Sequence, residues 1–105
     1  MQFVVIAHDY TDEDALTRRK SVREQHLQLC EESMQKGQQL YGAALLNEEG
    51  NMCGSVMIVD FPSRQELDGW LAIEPYVTAR VWENIHVQPC MVGSVFSHLI
   101  PKKVA

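Results

Sequence analysis

Arg18-Arg19-Lys20-Ser21-Val22-Arg23-Glu24-Gln25-His26-Leu27 reads as a charged helix carrying one imidazole. Thr11, with Asp14 three residues on, gives that helix an N-cap signature. Leu16, Leu27, Cys30 and Met34 recur at helical spacing and supply its apolar stripe, and Gly37 suits the C-cap after about Lys36. Working outward, Gln2–His8 reads as a β-strand whose Phe3, Val4, Val5 and Ile6 are apolar on both faces, as in a central strand. Gln39–Asn47 is a second strand, Asn47–Asn51 a turn, and Cys53–Phe61 a third strand.

The second half adds a helix and a last strand. Ser63 and Glu66 form a capping box for a helix with a buried stripe of Leu67, Trp70 and Leu71. Pro75 interrupts that helix, and a further helical turn or two through Val77, Val81 and Trp82 is expected. Ile85–Pro89 alternates and makes the last strand, followed by an apolar tail, Met91 to Ile100, ending at Lys102-Lys103. The order β-α-β-β-α-β is the split βαβ pattern of α+β ferredoxin-like folds, an antiparallel sheet with helices on one face and here a C-terminal extension. The chain is expected to be one domain, 1–105, with a core over about 1–90 and the tail over 91–105.

Two helices cover one face of such a sheet, yet Val4 and Ile6, and Val56 and Ile58, put apolar groups on the other. So large an uncovered face exceeds what a monomer ordinarily exposes. A homodimer packed sheet to sheet is therefore expected. In the competing reading the Val95–Ile100 tail folds back over its own sheet; the tail could equally reach across to a partner.

Composition narrows the function. With 105 residues, 46% hydrophobic and 22% charged, the chain suits one modest core, and its net charge of −5 argues against a nucleic-acid surface. The basic run is explained as a solvated face with i to i+4 pairing to nearby acids. Cys30, Cys53 and Cys90 are widely spaced and without a Cys-x-x-Cys pair, so they read as buried thiols in a reducing, cytoplasmic compartment. No membrane span or signal segment is expected. His8, His86 and His98 lack ligands at metal spacing, and no glycine-rich phosphate loop or flavin or nicotinamide fingerprint is present, so neither metal nor cofactor is expected.

Histidine alone titrates near neutrality unperturbed, which makes His26 the candidate general base or acid. The alternative is a boundary histidine bonded to a backbone carbonyl. Glu74, beside Pro75 at the helix break, is a candidate to hold the second imidazole nitrogen, or else a solvated turn residue. Tyr76 offers a hydroxyl to a substrate oxygen or simply packs under the second helix. Arg23 offers a carboxylate clamp or pairs with surface glutamates. Ser55 lies where the third strand begins, without a nucleophile elbow. Cys30 stands one turn from His26, which favours a thiolate, against the commoner case of an inert helical cysteine.

Val22-Arg23-Glu24-Gln25-His26-Leu27, Gly54-Ser55, Glu74-Pro75-Tyr76-Val77-x-Ala79 and Val87-x-Pro89 together resemble, in order and spacing, the YciI-like (YCII) family. The resemblance runs from the opening strand to about Pro89. It implies a ferredoxin-like subunit in a dimer, similar to the dimeric α/β-barrel superfamily that includes lactone isomerases and small monooxygenases. The family's histidine falls on His26 and its acid on Glu74, where the family has aspartate. Arg80 stands where the family usually has glycine, and would narrow or charge the pocket. The function so implied is cofactor-independent proton transfer on a small organic molecule, of isomerase or lyase type, with His26 and Glu74 catalytic and Arg23, Ser55 and Tyr76 binding substrate. Its rivals are a non-catalytic ligand-binding or accessory module and a cofactor-free monooxygenase.

Overall fold

The structure, a computed structural model, describes residues 1–99. Strand β1 is Gln2–Asp9, helix α1 Ala15–Gln35, β2 Gln39–Leu46, β3 Met52–Asp60, α2 Arg64–Ile73, the short α3 Pro75–Thr78 and β4 Trp82–Cys90; a 3-10 helix, Ser94–Leu99, follows. The strands form one antiparallel sheet in the order β2-β3-β1-β4. This is the ferredoxin-like arrangement.

The two-residue period of β1 decides where the core sits. Phe3, Val5 and Ala7 are buried on one face, opposite Val59, Met57 and Ser55 of β3. Leu67, Trp70 and Leu71 of α2, and Tyr76 of α3, close over them. Val4 and Ile6 point to the other face and are only half-buried, in line with Ile58 and Val56. β4 is an edge strand, which is why it tolerates Pro89, a residue with no N–H to donate. Gly37, at φ 73, takes the left-handed turn out of α1, as glycine alone does without cost. Ser63 caps α2 by accepting from the Glu66 N–H at 3.2 Å.

Several expectations are corrected. Asp14 rather than Thr11 is the N-cap of α1, and it makes no side-chain capping bond. The core-facing side of α1 is Ala15, Arg19, Val22, His26, Leu29 and Ser33, one position off the expected stripe; Leu27 and Met34 are exposed. The basic run is not i to i+4 paired: Arg18 binds Asp12, and Arg19 is buried against Asp9. The turn after Pro75 ends at Thr78, and Trp82 opens β4 instead of extending a helix. Arg80 causes the change, with φ 59 in the left-handed region that glycine prefers. Its guanidinium lies 5.5 Å from the Tyr10 ring centroid, away from the cleft described below. The cysteines are half-buried, not buried. As far as it is described, the tail buries none of its apolar side chains; Met91, Val95, Phe96 and Leu99 are exposed, while Ile100 and Lys102-Lys103 lie outside the described residues.

Candidate active site

Glu74 joins two helices. It ends α2 and begins α3 in an extended conformation, the geometry that a following proline imposes. Its Oε1 accepts the Tyr76 backbone N–H at 3.0 Å, capping α3, and lies 2.8 Å from His26 Nδ1. Glu74 is fully buried and the His26 side chain nearly so. A carboxylate only accepts, so Nδ1 carries a proton, and in the neutral imidazole Nε2 then presents its lone pair. Glu74 Oε2 is buried with no partner among the described residues, so all of this carboxylate's bonding goes through the oxygen that holds the imidazole.

The imidazole is held on a second side. The Tyr76 ring stacks on it, centroids 3.9 Å apart and planes within 11°, and Trp82 meets both rings edge-on. Arg19, two helical turns before His26, also lies against Tyr76, with Cζ 4.6 Å from its centroid. Arg19 Nη1 donates to both Asp9 oxygens at 2.9 and 3.1 Å, and Nη2 donates to Gly54 O and Ser55 Oγ, each at 2.9 Å. Trp82 Nε1 donates to the same Ser55 oxygen at 3.2 Å. Burial raises the Asp9 pKa more than Arg19 lowers it, and burial likewise raises that of Tyr76.

A cleft of about 460 Å³ opens between α1 and the inner side of β2 and β3. Arg19, Arg23, His26, Ser55 and Tyr76 supply polar groups and aromatic surface, and Leu27, Met34, Leu40 and Met57 the apolar walls. Leu27, Cys30 and Met34 of the apolar stripe expected to face the core thus line a cavity. Arg23 is exposed at the cleft and makes no ion pair among the described residues, so the expected pairing with glutamates is absent. Cys30 Sγ stands 3.4 Å from His26 Nε2. Burial and the Glu74 carboxylate raise its pKa to about 11, so the imidazole neighbour does not make it a thiolate. With the ring proton on Nδ1, the thiol is the donor of this contact, a weak S–H bond to Nε2.

Every sequence-predicted site residue borders this cleft or, for Glu74, lies directly behind it. Sequence reasoning missed Arg19, Asp9 and Trp82. The available signal was spacing: Ala15, Arg19, Val22, His26, Leu29 and Ser33 alternate by four and three, the core-facing face of a helix. Among the described residues, no group of three or more His, Cys, Asp or Glu is placed to hold a metal ion, and no helix is long and apolar enough to cross a membrane.

Comparison with known proteins agrees with this architecture. Protein YciI of Escherichia coli is 30% identical over 95 residues, covering 85% of this chain and 95% of that protein. An uncharacterized protein of Haemophilus influenzae is 32% identical over the same length, with the same coverage. Among solved structures, the 5-chloro-2-hydroxyhydroquinone dehydrochlorinase of Burkholderia phenoliruptrix, in complex with 2,5-dihydroxybenzoquinone, superimposes with a TM-score of 0.76 at 21% identity, covering 90% of this chain and 98% of that one. An antibiotic biosynthesis monooxygenase gives 0.50 at 20% identity, covering 89% and 100%. These likenesses establish the fold. The model of the YCII-related domain matches residues 1–90, and the chain belongs to that family.

Proposed function

We propose that this protein is a cofactor-independent acid–base enzyme acting on a small carbonyl-bearing organic molecule, by isomerisation or elimination. The observation that carries the reading is the 2.8 Å contact of Glu74 Oε1 with His26 Nδ1 behind a cleft that His26 lines. Nε2 takes a proton from the carbon next to the carbonyl, and Glu74 stabilises the imidazolium that forms. The electron pair passes to the carbonyl oxygen. It returns either with a proton at another carbon or with loss of a leaving group. Tyr76 packs the imidazole, Ser55 meets the substrate, and Arg23 at the rim attracts an anionic one.

Dehydrochlorination, the activity that names the Burkholderia protein, is likewise an elimination, the loss of a proton and chloride from a small oxygenated ring. The test is incubation of the protein in D2O with 5-chloro-2-hydroxyhydroquinone and a panel of small enolisable carbonyl compounds, following deuterium uptake and chloride release. Turnover should fall by about 10²–10⁴-fold in His26→Gln, the range for loss of a general base. An unimpaired His26→Gln variant refutes the reading.

The same reading includes a homodimer. Val4, Ile6, Val56 and Ile58 form an apolar strip across the outer sheet face, and the tail that follows β4, the strand beside β1, exposes further apolar groups. The tail's Val92 N–H donates to Gln2 Oε1 at 2.7 Å, which ties the start of the tail to β1.

A further inference from the structure

Ser55 has a bonding arithmetic that no other polar group of the cleft shares. A hydroxyl has two acceptor sites and one proton. Both acceptor sites of Ser55 are taken, by Arg19 Nη2 at 2.9 Å and Trp82 Nε1 at 3.2 Å. Guanidinium and indole N–H groups donate only, so neither can receive the serine proton. No other described residue receives it, and the strand register sets Ser55 between Ala7 and Ala44, whose methyl groups cannot. Ser55 is buried against protein but borders the cleft that His26 and Tyr76 also line.

From this geometry we infer that Ser55 is the oxyanion donor of the site, held in a donor-only state by Arg19 and Trp82 as positioning residues. The inference rests on the acid–base reading above. When His26 Nε2 removes the carbon-bound proton, the C–H electron pair becomes the new C=C bond and the carbonyl π pair moves onto oxygen. Ser55 donates a hydrogen bond to that oxygen and keeps its proton, so nothing is consumed. The guanidinium behind the hydroxyl strengthens it as a donor, because a hydrogen bond accepted from a cation polarises the next bond in the chain. A hydroxyl fixed in this state before substrate arrives costs no reorganisation at the moment charge develops. The ligand group seated at Ser55 is therefore an acceptor oxygen, a carbonyl, enolate or phenolate, and not an ammonium or amide N–H.

The test uses 4-nitrophenol, whose phenolate absorbs apart from the neutral phenol and whose oxygen stands in for the enolate. Titrated into the full chain at one pH, it should bind preferentially as the phenolate. Ser55→Ala should weaken phenolate binding by about 10- to 100-fold, the worth of a hydrogen bond to a charged acceptor, and leave neutral-phenol binding in place. Ser55→Thr, which keeps the hydroxyl, should retain the preference. Trp82→Phe should reduce it, a change that loss of packing alone would not confine to the ionised form. If Ser55→Ala does not fold, Ser55→Cys fills the site with a weak donor and should show the same selective loss. Equal phenolate affinity in wild type and a folded Ser55→Ala or Ser55→Cys variant, or no phenolate preference in wild type, overturns the inference. His26→Gln separates the two readings. If it abolishes turnover while the Ser55 variants change neither turnover nor phenolate binding, this inference falls and the acid–base reading stands. If the Ser55 variants show the selective loss while His26→Gln leaves turnover intact, the reverse holds.

Discussion

Replacing Arg19 with methionine removes four hydrogen bonds and leaves Asp9 without its counter-charge in a site where the two side chains are 3% and 5% exposed. Breaking a buried ion pair from one side costs about 3–5 kcal/mol, because the remaining charge stays desolvated. An entropy of unfolding of about 2 cal/mol/K per residue gives roughly 0.2 kcal/mol/K for 105 residues, so the melting midpoint should fall by roughly 15–25 °C. The sign of the pH dependence follows from Asp9. Its pKa is raised in the folded state, so its contribution to stability is fully present below the ordinary carboxylate pKa and is lost as pH rises through the folded value. Without Arg19 the folded value rises further, and the variant should lose stability more steeply than wild type across the acid range. Urea titration of wild type, Arg19→Met, Asp9→Asn and the double variant, followed by tryptophan fluorescence, measures both effects. The double variant should recover part of the loss, since the unpaired charge is gone. A cost below about 1 kcal/mol, the value of an exposed pair, would refute the buried network.

Other expectations follow from the same geometry. Glu74→Asp should still cap α3, because aspartate is a good N-cap, but it withdraws the carboxylate by about one bond length, a displacement of a kind that costs about 100-fold in rate; matched folding stability with unchanged turnover would contradict this. Cys30, with its pKa raised to about 11, should be alkylated by iodoacetamide more slowly at pH 8 than an ordinary thiol, and stability should decline as pH rises from about 9 towards 11 in wild type but not in Cys30→Ala. Arg80→Gly should stabilise the fold by about 1 kcal/mol in a urea titration, since the position requires a left-handed backbone. Gly54→Ala should destabilise it by about 1–3 kcal/mol, because the added Cβ would lie 2.5 Å from Ala7 O and 2.9 Å from Leu45 Cδ1. Ile6→Lys, on the outer sheet face, should convert a dimer to a monomer by sedimentation velocity; a wild type already monomeric at high concentration would refute the dimer.

How far the sequence discloses this molecule differs between fold and site. The aromatic and β-branched run Phe3–Ile6 and the capping pair Ser63 and Glu66 ahead of Leu67–Leu71 specify strand and helix by local chemistry, so element order is readable. Hydropathy points to the wrong face of α1 because Leu27, Cys30 and Met34 are apolar for a different reason, as walls of a cavity, while the buried face carries an arginine and a serine. Hydropathy ranks arginine as surface, and only the register of β1, which brings Asp9 inward, reveals where Arg19 finds its partner. Trp82 reads as helical in the sequence because the left-handed turn at Arg80 has no glycine to announce it. Periodicity cannot report that His26 and Glu74 meet across 48 positions; the motif resemblance pointed there, and the extended Glu74-Pro75 break explains how the longer side chain reaches.

The central claim is that Glu74 fixes the imidazole of His26 with its proton on Nδ1 and its lone pair on Nε2. The ¹⁵N shifts of the His26 ring at a pH where it is neutral test this directly. The account predicts a protonated Nδ1 and a bare, pyridine-like Nε2. A dominant Nε2–H tautomer, as an unconstrained imidazole prefers, would contradict it.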